Sequence, residues 1–201
     1  MIKYIDRLNI HSILSLSFAN GPGRRMVIWL QGCKLGCAGC FNPDTHSTAP
    51  RHLMDLNDIC KRIHSNANVV EGITISGGEP FQQAEALLKL LQRVRLETSL
   101  SILVFSGYTM RQIRNLRPGE ELLETIDVLI AGPYVDRLRL RGNLCSSSNQ
   151  KTHLLTSRYN LADIGETPEA EIQIDAKGYV HITGFQDMIH ADLKYIAGSD
   201  T

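Results

Sequence analysis

Four short apolar segments, each ending in a glycine-containing loop, constrain the fold of this 201-residue chain more than any other feature. The loops contain the pairs Gln31-Gly32, Gly77-Gly78, Ser106-Gly107 and Ala131-Gly132. Between them lie segments whose apolar residues recur at helical spacing. This alternation predicts right-handed βαβ units in a mostly parallel sheet. Because so few units cannot close an eight-stranded barrel, we expect an α/β fold with an incomplete βα barrel, whose loops converge at the carboxyl ends of the strands.

The predicted strands cover residues 26–30, 73–76, 101–105 and 128–130, and the predicted helices cover residues 55–67, 81–95, 109–116 and 120–125. Residues 133–170 look polar and rich in loops. Residues 171–175 and 179–183 alternate apolar and polar side chains around Ala176-Lys177-Gly178, which predicts a β-hairpin. A last helix is predicted over residues 186–196. We therefore expect a core of residues 1–150 and a C-terminal extension, residues 151–201, packed on it.

Charge and cysteine content limit the partners and the compartment. The chain has 21 basic and 21 acidic residues, so its net charge gives no reason to expect nucleic acid or an anionic membrane as partner. No apolar run approaches the roughly 20 residues of a membrane span, and the N-terminus lacks the features of a secretory signal. Five unevenly spaced cysteines do not suit a disulfide framework. We expect a cytoplasmic protein, in which clustered thiols indicate metal binding or catalysis.

Three of the cysteines, Cys33, Cys37 and Cys40, lie within eight residues of one another, directly after the first predicted strand. A glycine-containing loop allows three thiolates to converge on one metal centre. Cubane iron–sulfur clusters usually take four cysteines. Three ligands would leave one iron open, and an open coordination position binds substrate, as in catalytic zinc sites.

Other ligand sets remain open at this point. A zinc site of three cysteines and His46 is possible, because five residues separate Cys40 from His46. Cys145 could be a fourth cluster ligand, since it lies in the loop-rich segment near the expected ligand face. Cys60 falls on the apolar face of a predicted helix and is expected to be a core residue.

The cysteine loop resembles that of the radical S-adenosylmethionine (SAM) superfamily. Within it, the run from Gly32 through Phe41, Asn42 and Pro43 is similar to the activating enzyme of anaerobic (class III) ribonucleotide reductase. The resemblance covers residues 20–150 and includes Asn20-Gly21-Pro22-Gly23-Arg24, Ser76-Gly77-Gly78-Glu79-Pro80, Ser106-Gly107-Tyr108-Thr109, Gly132-Pro133-Tyr134 and Ser147-Ser148-Asn149-Gln150. Many superfamily members carry an aromatic residue just before the third cysteine. Here Gly39 precedes it and Phe41 follows, which favours the glycyl-radical activase branch.

The resemblance implies an anaerobic oxidoreductase with two cofactors. Cys33, Cys37 and Cys40 would hold a [4Fe-4S] cluster whose open iron chelates the amino and carboxylate groups of SAM. One-electron reduction of the cluster would cleave SAM to a 5′-deoxyadenosyl radical, which abstracts a hydrogen from a backbone glycine of a partner enzyme such as anaerobic ribonucleotide reductase. The implied cofactor-binding residues are Asn42, Ser76, Gly77, Gly78, Glu79, Pro80, Ser106 and Tyr108.

Two other functions are retained as alternatives. One is a radical SAM enzyme that acts on a small molecule and resembles 7-carboxy-7-deazaguanine synthase. The other is a zinc-binding module without enzymatic activity. Three departures from the activase pattern bear on the substrate: His46 stands where the family often has Trp, residues 143–146 look inserted, and the chain continues beyond residue 170. Arg137, Arg139 and Arg141 could dock an acidic electron donor such as flavodoxin.

Overall fold

A computed structural model describes residues 5–140, 144–174, 178 and 180–184. Its strands are β1 (Arg7–Ser17), β2 (Arg25–Leu30), β3 (His52–Asp55), β4 (Gly72–Gly77), β5 (Ser101–Ser106), β6 (Val128–Ala131), β7 (Lys151–Leu154), β8 (Ala170–Ile174) and β9 (Val180–Gly184). Its α-helices are α1 (Leu56–Asn66), α2 (Ala84–Glu97), α3 (Met110–Arg114), α4 (Gly119–Glu124) and α5 (Leu161–Gly165). Short 3-10 helices cover Pro43–Thr45, Pro80–Gln83 and Asp136–Leu138.

Seven strands form the central sheet, in the order β3-β1-β2-β4-β5-β6-β7. The four predicted strands correspond to β2, β4, β5 and β6, which pair in parallel as neighbours. Helices connect β4 to β5 and β5 to β6. The chain is therefore a mixed α/β protein with a parallel-rich central sheet, as the alternating pattern predicts.

Antiparallel strands flank this parallel centre, and the sequence pattern does not predict them. β1 pairs antiparallel with both β2 and β3, and β7 pairs antiparallel with β6. β1 carries two irregularities in its pairing with β2, which break the alternation of apolar and polar residues. β7 begins at Lys151, so the boundary expected after residue 150 falls directly before a strand of the main sheet.

Apolar side chains fill both faces of the sheet. On one face the core is built with α1 and α2, and it contains Ile28, Ile75 and Leu87. Cys60 is 3% exposed in this core, which confirms its expected place. A smaller cluster, which includes Leu103, lies on the other face together with Leu144 and Ile164.

A buried arginine joins the amino ends of three parallel strands. Arg25 begins β2 and is fully buried. Its guanidinium donates to Thr74 Oγ1 at 2.6 Å, to the Ile73 carbonyl at 2.6 Å and to Ser101 Oγ at 2.9 Å. The Tyr159 hydroxyl lies 2.7 Å from Ser101 Oγ and 3.3 Å from Arg25, so the segment after β7 is attached to the same network. Burial lowers the pKa of Arg25, and Tyr159 opposes this shift.

The predicted hairpin is present as β8 and β9, which pair antiparallel from Ala170 opposite Gly184 to Ile174 opposite Val180. Side chains rather than a shared ladder attach it to the end of β1. The Phe18 N–H donates to Glu171 at 2.9 Å, and Gln173 Nε2 donates to the Leu16 carbonyl at 2.8 Å. Residues 186–196, where a helix is predicted, lie outside the described residues. No helix in the described part is both long and apolar enough to span a membrane.

Candidate active site

A cavity of about 590 Å³ opens where β2, β4 and β5 end. Cys33, Cys37 and Cys40 line it, together with the loop residues that follow β4 and β5. The three thiols are partly exposed and form no disulfide. The glycine-containing loops after these strands therefore do converge on one site, as expected from the topology of parallel sheets.

Backbone hydrogen bonds fix the base of the cysteine loop. The Gly32 N–H donates to the Thr45 carbonyl at 2.7 Å, and the Cys33 N–H donates to the His46 carbonyl at 3.1 Å. On the opposite side, the Glu79 N–H donates to the Gly32 carbonyl at 2.9 Å. The loop is thus held between the segment that follows it and the loop after β4.

The three thiols suit a cluster with one open iron. Burial raises the pKa of Cys33 and Cys40, while the N–H groups of Leu35 and Asn42 act in the opposite direction. The Asn42 N–H lies 3.4 Å from Cys40 Sγ. A bound metal centre deprotonates its thiol ligands, and N–H groups directed at sulfur stabilise the resulting thiolates. Because all three cysteines line one cavity, a ligand in that cavity would lie beside a cluster bound there.

Gly78 allows the loop after β4 to pack against the cysteine loop. A Cβ atom at Gly78 would overlap the carbonyl oxygen of Gly32. A Cβ atom at Gly77 would likewise approach the backbone of Leu30, the last residue of β2. From the sequence we expect these glycines to permit close approach to a ligand. In the structure the close approach is between two protein loops.

Glu79 ties the loop after β4 to the loop after β5. Its carboxylate is fully buried and accepts from the Phe81 N–H at 3.0 Å, Ser106 Oγ at 2.8 Å and the Gly107 N–H at 2.8 Å. Burial raises the pKa of Glu79 to about 7, and the hydrogen bonds from these groups oppose that rise. Glu79 therefore fixes the relative position of two walls of the cavity.

Most of the sequence-predicted cofactor residues line this cavity. They are Asn42, Ser76, Gly77, Gly78, Glu79 and Ser106. Pro80 and Tyr108 are not part of its wall. Instead, the Tyr108 hydroxyl accepts from Gln82 Nε2 at 3.2 Å, and Gln82 Oε1 accepts from the Lys34 N–H at 3.2 Å. Gln82 thereby links the cysteine loop to Tyr108, a role that no sequence pattern indicates.

An aromatic pair flanks the third cysteine. Phe41 and Tyr134 meet edge to face with ring centroids 4.9 Å apart, and the Arg139 guanidinium lies 4.9 Å from the Phe41 centroid. The Tyr134 hydroxyl donates to Asp136 Oδ1 at 2.7 Å. A Cβ atom at Gly39 would lie 3.0 Å from this same Asp136 oxygen. The aspartate thus occupies the space beside Gly39, where a bulky residue would not fit.

The remaining candidate ligands, His46 and Cys145, are not part of the cavity wall. His46 Nε2 is buried without a hydrogen-bond partner. Cys145 is 7% exposed, close to Thr152 in the smaller core cluster. Within the described residues, no three His, Cys, Asp or Glu side chains are arranged to hold a single metal ion, so the proposed zinc site is not formed there. A four-iron cluster is larger than one ion and needs its cysteines farther apart.

Comparison with known proteins agrees with this geometry. The chain matches the family described as a 4Fe-4S single cluster domain over residues 19–153. It is 31% identical over 160 residues to the anaerobic ribonucleoside-triphosphate reductase-activating protein of Vibrio cholerae, covering 74% of this chain and 99% of that protein. It is 30% identical over 125 residues to the pyruvate formate-lyase-activating enzyme of Clostridium pasteurianum, covering 60% of this chain and 50% of that protein.

Among solved structures, QueE from Escherichia coli is similar over 52% of this chain and 53% of that chain, with a TM-score of 0.38 and 19% identity. The family match includes the cysteine loop and the loops after β4 and β5, which form the cavity. The Vibrio cholerae relative is matched over nearly its whole length. The chain therefore belongs to the radical SAM family of glycyl-radical activating enzymes, whose cofactors are a [4Fe-4S] cluster and S-adenosylmethionine.

Proposed function

We propose that this enzyme installs a glycyl radical on a partner protein such as anaerobic ribonucleotide reductase. A [4Fe-4S] cluster held by Cys33, Cys37 and Cys40 would supply one electron for reductive cleavage of the sulfonium C–S bond of SAM, with methionine as the leaving group. The 5′-deoxyadenosyl radical formed in this way would take a hydrogen atom from a glycine Cα, which would give 5′-deoxyadenosine and a glycyl radical. The protein contributes binding, orientation and exclusion of water.

We assign the cluster ligands to Cys33, Cys37 and Cys40, because these thiols share one wall of the cavity. The residues from Ser76 to Glu79 are assigned to the methionine end of SAM, since they lie directly opposite the base of the cysteine loop. Ser106 and Asn42 complete this assignment as further wall residues. Pro80 and Tyr108 act from behind the wall, Pro80 by beginning a 3-10 helix and Tyr108 through Gln82.

The charge of the cavity wall is the observation that carries the choice of substrate. Among the described residues that line the cavity there is no Lys, Arg or Asp, and the only carboxylate is that of Glu79, which is already hydrogen-bonded to its neighbours. Apart from the metal centre, which takes the carboxylate of SAM, a small anionic substrate would find only His11 and His181 as possible cations in the wall, and burial of an unpaired charge is costly. A neutral peptide main chain needs no counter-ion. The wall therefore favours a glycine within a protein over a small anionic molecule.

We further propose that the sheet curves into a partial βα barrel. The cavity is lined by Ser12 and Leu14 of β1 and by Ser146 and Gln150, which precede β7. In a flat sheet of this strand order, β1 and β7 would stand about 24 Å apart. Curvature brings both sides of the sheet to one cavity. The gap between β1 and β7 would be the entrance to the cavity for a segment of the partner protein.

The electron donor is proposed to be an acidic one-electron carrier such as flavodoxin. Arg137 and Arg139 are exposed on the connection between β6 and β7, and Arg141 lies outside the described residues. Arg139 lies against Phe41, next to Cys40, so these positive charges stand close to the cysteine loop. Complementary charge would steer an acidic donor to this side of the loop.

The decisive experiment is anaerobic incubation of the reconstituted enzyme with SAM and dithionite, with and without a candidate glycyl-radical protein. We expect a glycyl-radical signal in electron paramagnetic resonance (EPR) only when SAM, reductant and partner are all present. SAM should also change the EPR spectrum of the reduced cluster, because it ligates iron. Rapid turnover of a small anionic substrate without any glycyl radical would instead support the small-molecule alternative.

A further inference from the structure

A β-bulge in β1 brings His11 to the cavity wall. Ile10 pairs with Leu30 of β2, and Ser12 pairs with Trp29, the residue directly before Leu30, so His11 is an extra residue opposite β2. A bulge of this kind redirects a side chain and is frequent beside active sites. His11 lines the main cavity. The irregular pairing of β1 therefore places an imidazole at the site.

His11 stands on the side of the cavity that holds the third cysteine. A second, smaller cavity of about 410 Å³ shares part of the wall of the main one, and both are lined by His11, Cys40, Phe41, Asn42 and Thr45. All of these except His11 belong to the cysteine loop or directly follow it. SAM is the second cofactor of this family and would lie beside a cluster bound to the loop. The imidazole is therefore close to where SAM would bind.

The Nδ1 atom of His11 lies between two groups of opposite hydrogen-bonding character. Gln31 Oε1 and Arg51 Nη1 are each 2.9 Å from it. The hydrogen bonds of Gln31 assign the orientation of its amide, because Nε2 donates to the carbonyls of Asp44 at 3.2 Å and Ser47 at 2.8 Å. The amide oxygen therefore faces Nδ1 as an acceptor, whereas the Arg51 guanidinium is a donor only.

Burial decides which of these two neighbours sets the tautomer of His11. A proton on Nδ1 satisfies Gln31, and a lone pair on Nδ1 satisfies Arg51. Gln31 is 4% exposed, so its oxygen would lose a hydrogen bond where little water can replace it. Arg51 is exposed and can bond to water instead. In the neutral imidazole the proton therefore belongs on Nδ1, and Nε2 keeps its lone pair.

The other ring nitrogen of His11, Nε2, is available to the cavity. Gln31 and Arg51, which contact Nδ1, are not part of either cavity wall. Among the described residues none forms a hydrogen bond with Nε2, and the atom is not buried. Nε2 is therefore an accessible acceptor in the wall that His11 shares with Cys40.

We infer that His11 Nε2 accepts a hydrogen bond from the nucleoside part of SAM. The amino and carboxylate groups of SAM are the ones that an open iron chelates, and the methionine end is proposed to lie at residues 76–79. The remaining N–H and O–H donors of SAM are the adenine amino group and the ribose hydroxyls. His11 provides an acceptor for one of them. The inference rests on the proposed function only through this assignment of the methionine end, and not through the identity of the partner.

Binding of SAM and of its cleavage products to the reconstituted enzyme tests the inference. His11→Ala should weaken binding of SAM and of 5′-deoxyadenosine at least about fivefold, because a donor is left without its acceptor. Binding of methionine, which has no nucleoside, should stay within about twofold of wild type. His11→Gln should restore most of the affinity, since its side-chain oxygen can also accept. His52→Ala is the matched control and should change no binding constant, because His52 is exposed on β3 outside both cavity walls.

A second measurement depends on neither ligand binding nor turnover. Nitrogen-15 magnetic resonance of the oxidised enzyme, labelled at its imidazoles, reports which ring nitrogen carries the proton at alkaline pH, where imidazoles are neutral. The His11 signals, identified by their loss in His11→Ala, should show a protonated Nδ1 and an unprotonated Nε2. Arg51→Gln should leave this pattern unchanged, since Gln31 sets it. A proton on Nε2 in the wild type would overturn the inference.

Failure of the inference can be told apart from failure of the proposed function. If SAM changes the EPR spectrum of the wild type but His11→Ala binds 5′-deoxyadenosine as tightly as wild type does, the activase function stands and only the role of His11 is lost. If that variant also forms less glycyl radical, the acceptor serves the partner's main chain, which equally contradicts the inference. If the wild type neither binds SAM nor forms a glycyl radical, the proposed function itself is wrong.

Discussion

At Gly78 the missing side chain makes room for the carbonyl oxygen of Gly32, one residue before the first cysteine. Gly78→Ala should therefore displace the cysteine loop and lower the iron content after reconstitution, as well as SAM binding. We expect a loss of about 1–3 kcal/mol in unfolding free energy from the overlap. Iron analysis and denaturant unfolding measure both effects. Gly165→Ala is the control, because nothing lies within 4 Å of a Cβ atom added there.

The five cysteines should separate into two groups. Cys33→Ala, Cys37→Ala and Cys40→Ala should each abolish the iron–sulfur absorbance near 400 nm, because each removes a proposed ligand. Cys60→Ala should keep the full iron content and lose only about 1 kcal/mol of stability, since it removes one buried sulfur. Cys145→Ala should behave in the same way. An iron-free Cys60→Ala or Cys145→Ala protein that remains folded would contradict the three-ligand assignment.

The raised pKa of Glu79 should make stability depend on pH. The unfolded chain releases this proton near 4.5, whereas the folded chain keeps it up to about 7. Protons are then bound more tightly in the folded state, so the unfolding free energy should fall as pH rises from 4.5 to 7 and level off above. The fall should be roughly 3 kcal/mol, from the size of the shift. Denaturant titrations of the metal-free protein measure it.

Glu79→Gln should remove this pH dependence. The amide cannot ionise, and its NH2 group would face a donor such as the Gly107 N–H. The variant should therefore be less stable than wild type by about 1–3 kcal/mol at low pH, where Glu79 is protonated. A variant that keeps the full fall between pH 4.5 and 7 would assign the titration to another group.

Among the secondary-structure elements, the segment after β7 is joined to the starts of β2 and β5 through one hydroxyl. Tyr159 OH contacts Ser101 at the start of β5 and the buried Arg25 at the start of β2. Tyr159→Phe should lower the unfolding free energy by about 1–2 kcal/mol, because Arg25 loses a partner in a buried network. Iron content should not change, since this network lies at the ends of the strands opposite the cysteines. Tyr134→Phe, which removes an exposed hydrogen bond, should cost less stability.

Within the main sheet, the strands that could be predicted are the central parallel ones, which are buried. β2, β4, β5 and β6 read as continuous apolar runs because helices cover one face and a second core lies on the other. β1 escaped prediction because its irregular pairing disturbs the alternation, and β7 because its four residues include Lys151 and His153. Pairing with the adjacent strands, rather than their own sequence pattern, makes β1 and β7 strands.

In the candidate site, too, some features could be predicted from the sequence and others could not. The cysteine loop and the loop after β4 could be predicted, because local spacing and glycine pairs mark them. The bridge through Gln82 could not, since Lys34 and Tyr108 lie 48 and 26 residues from it in the chain. The place of Asp136 beside Gly39 is equally non-local. Such contacts depend on the complete fold.

At the scale of the whole molecule, the net charge is zero, so the proposed acidic electron donor would be attracted by a local patch rather than by the overall charge. Arg137→Glu, which reverses an exposed charge, should slow reduction of the cluster by flavodoxin by about tenfold at low salt and less at high salt. Reduction by dithionite, which does not dock, should be unchanged. Stopped-flow absorbance at 400 nm follows both reactions. An equal slowing with dithionite would indicate damage to the cluster rather than loss of docking.

The exposed tip of the cysteine loop bears on how sensitive a bound cluster would be to oxygen. Gly36, Ala38 and Gly39 all face solvent, and none has a side chain larger than a methyl group to cover what the loop encloses. Because these residues are small, the distance that an electron would travel from a docked carrier to the cluster is short. Their small size would equally shorten the path of dissolved dioxygen to iron bound by these cysteines. If the cluster is bound here as proposed, rapid reduction and sensitivity to oxidation would have the same structural origin, and a bulkier loop that protected the metal would also slow electron transfer to it.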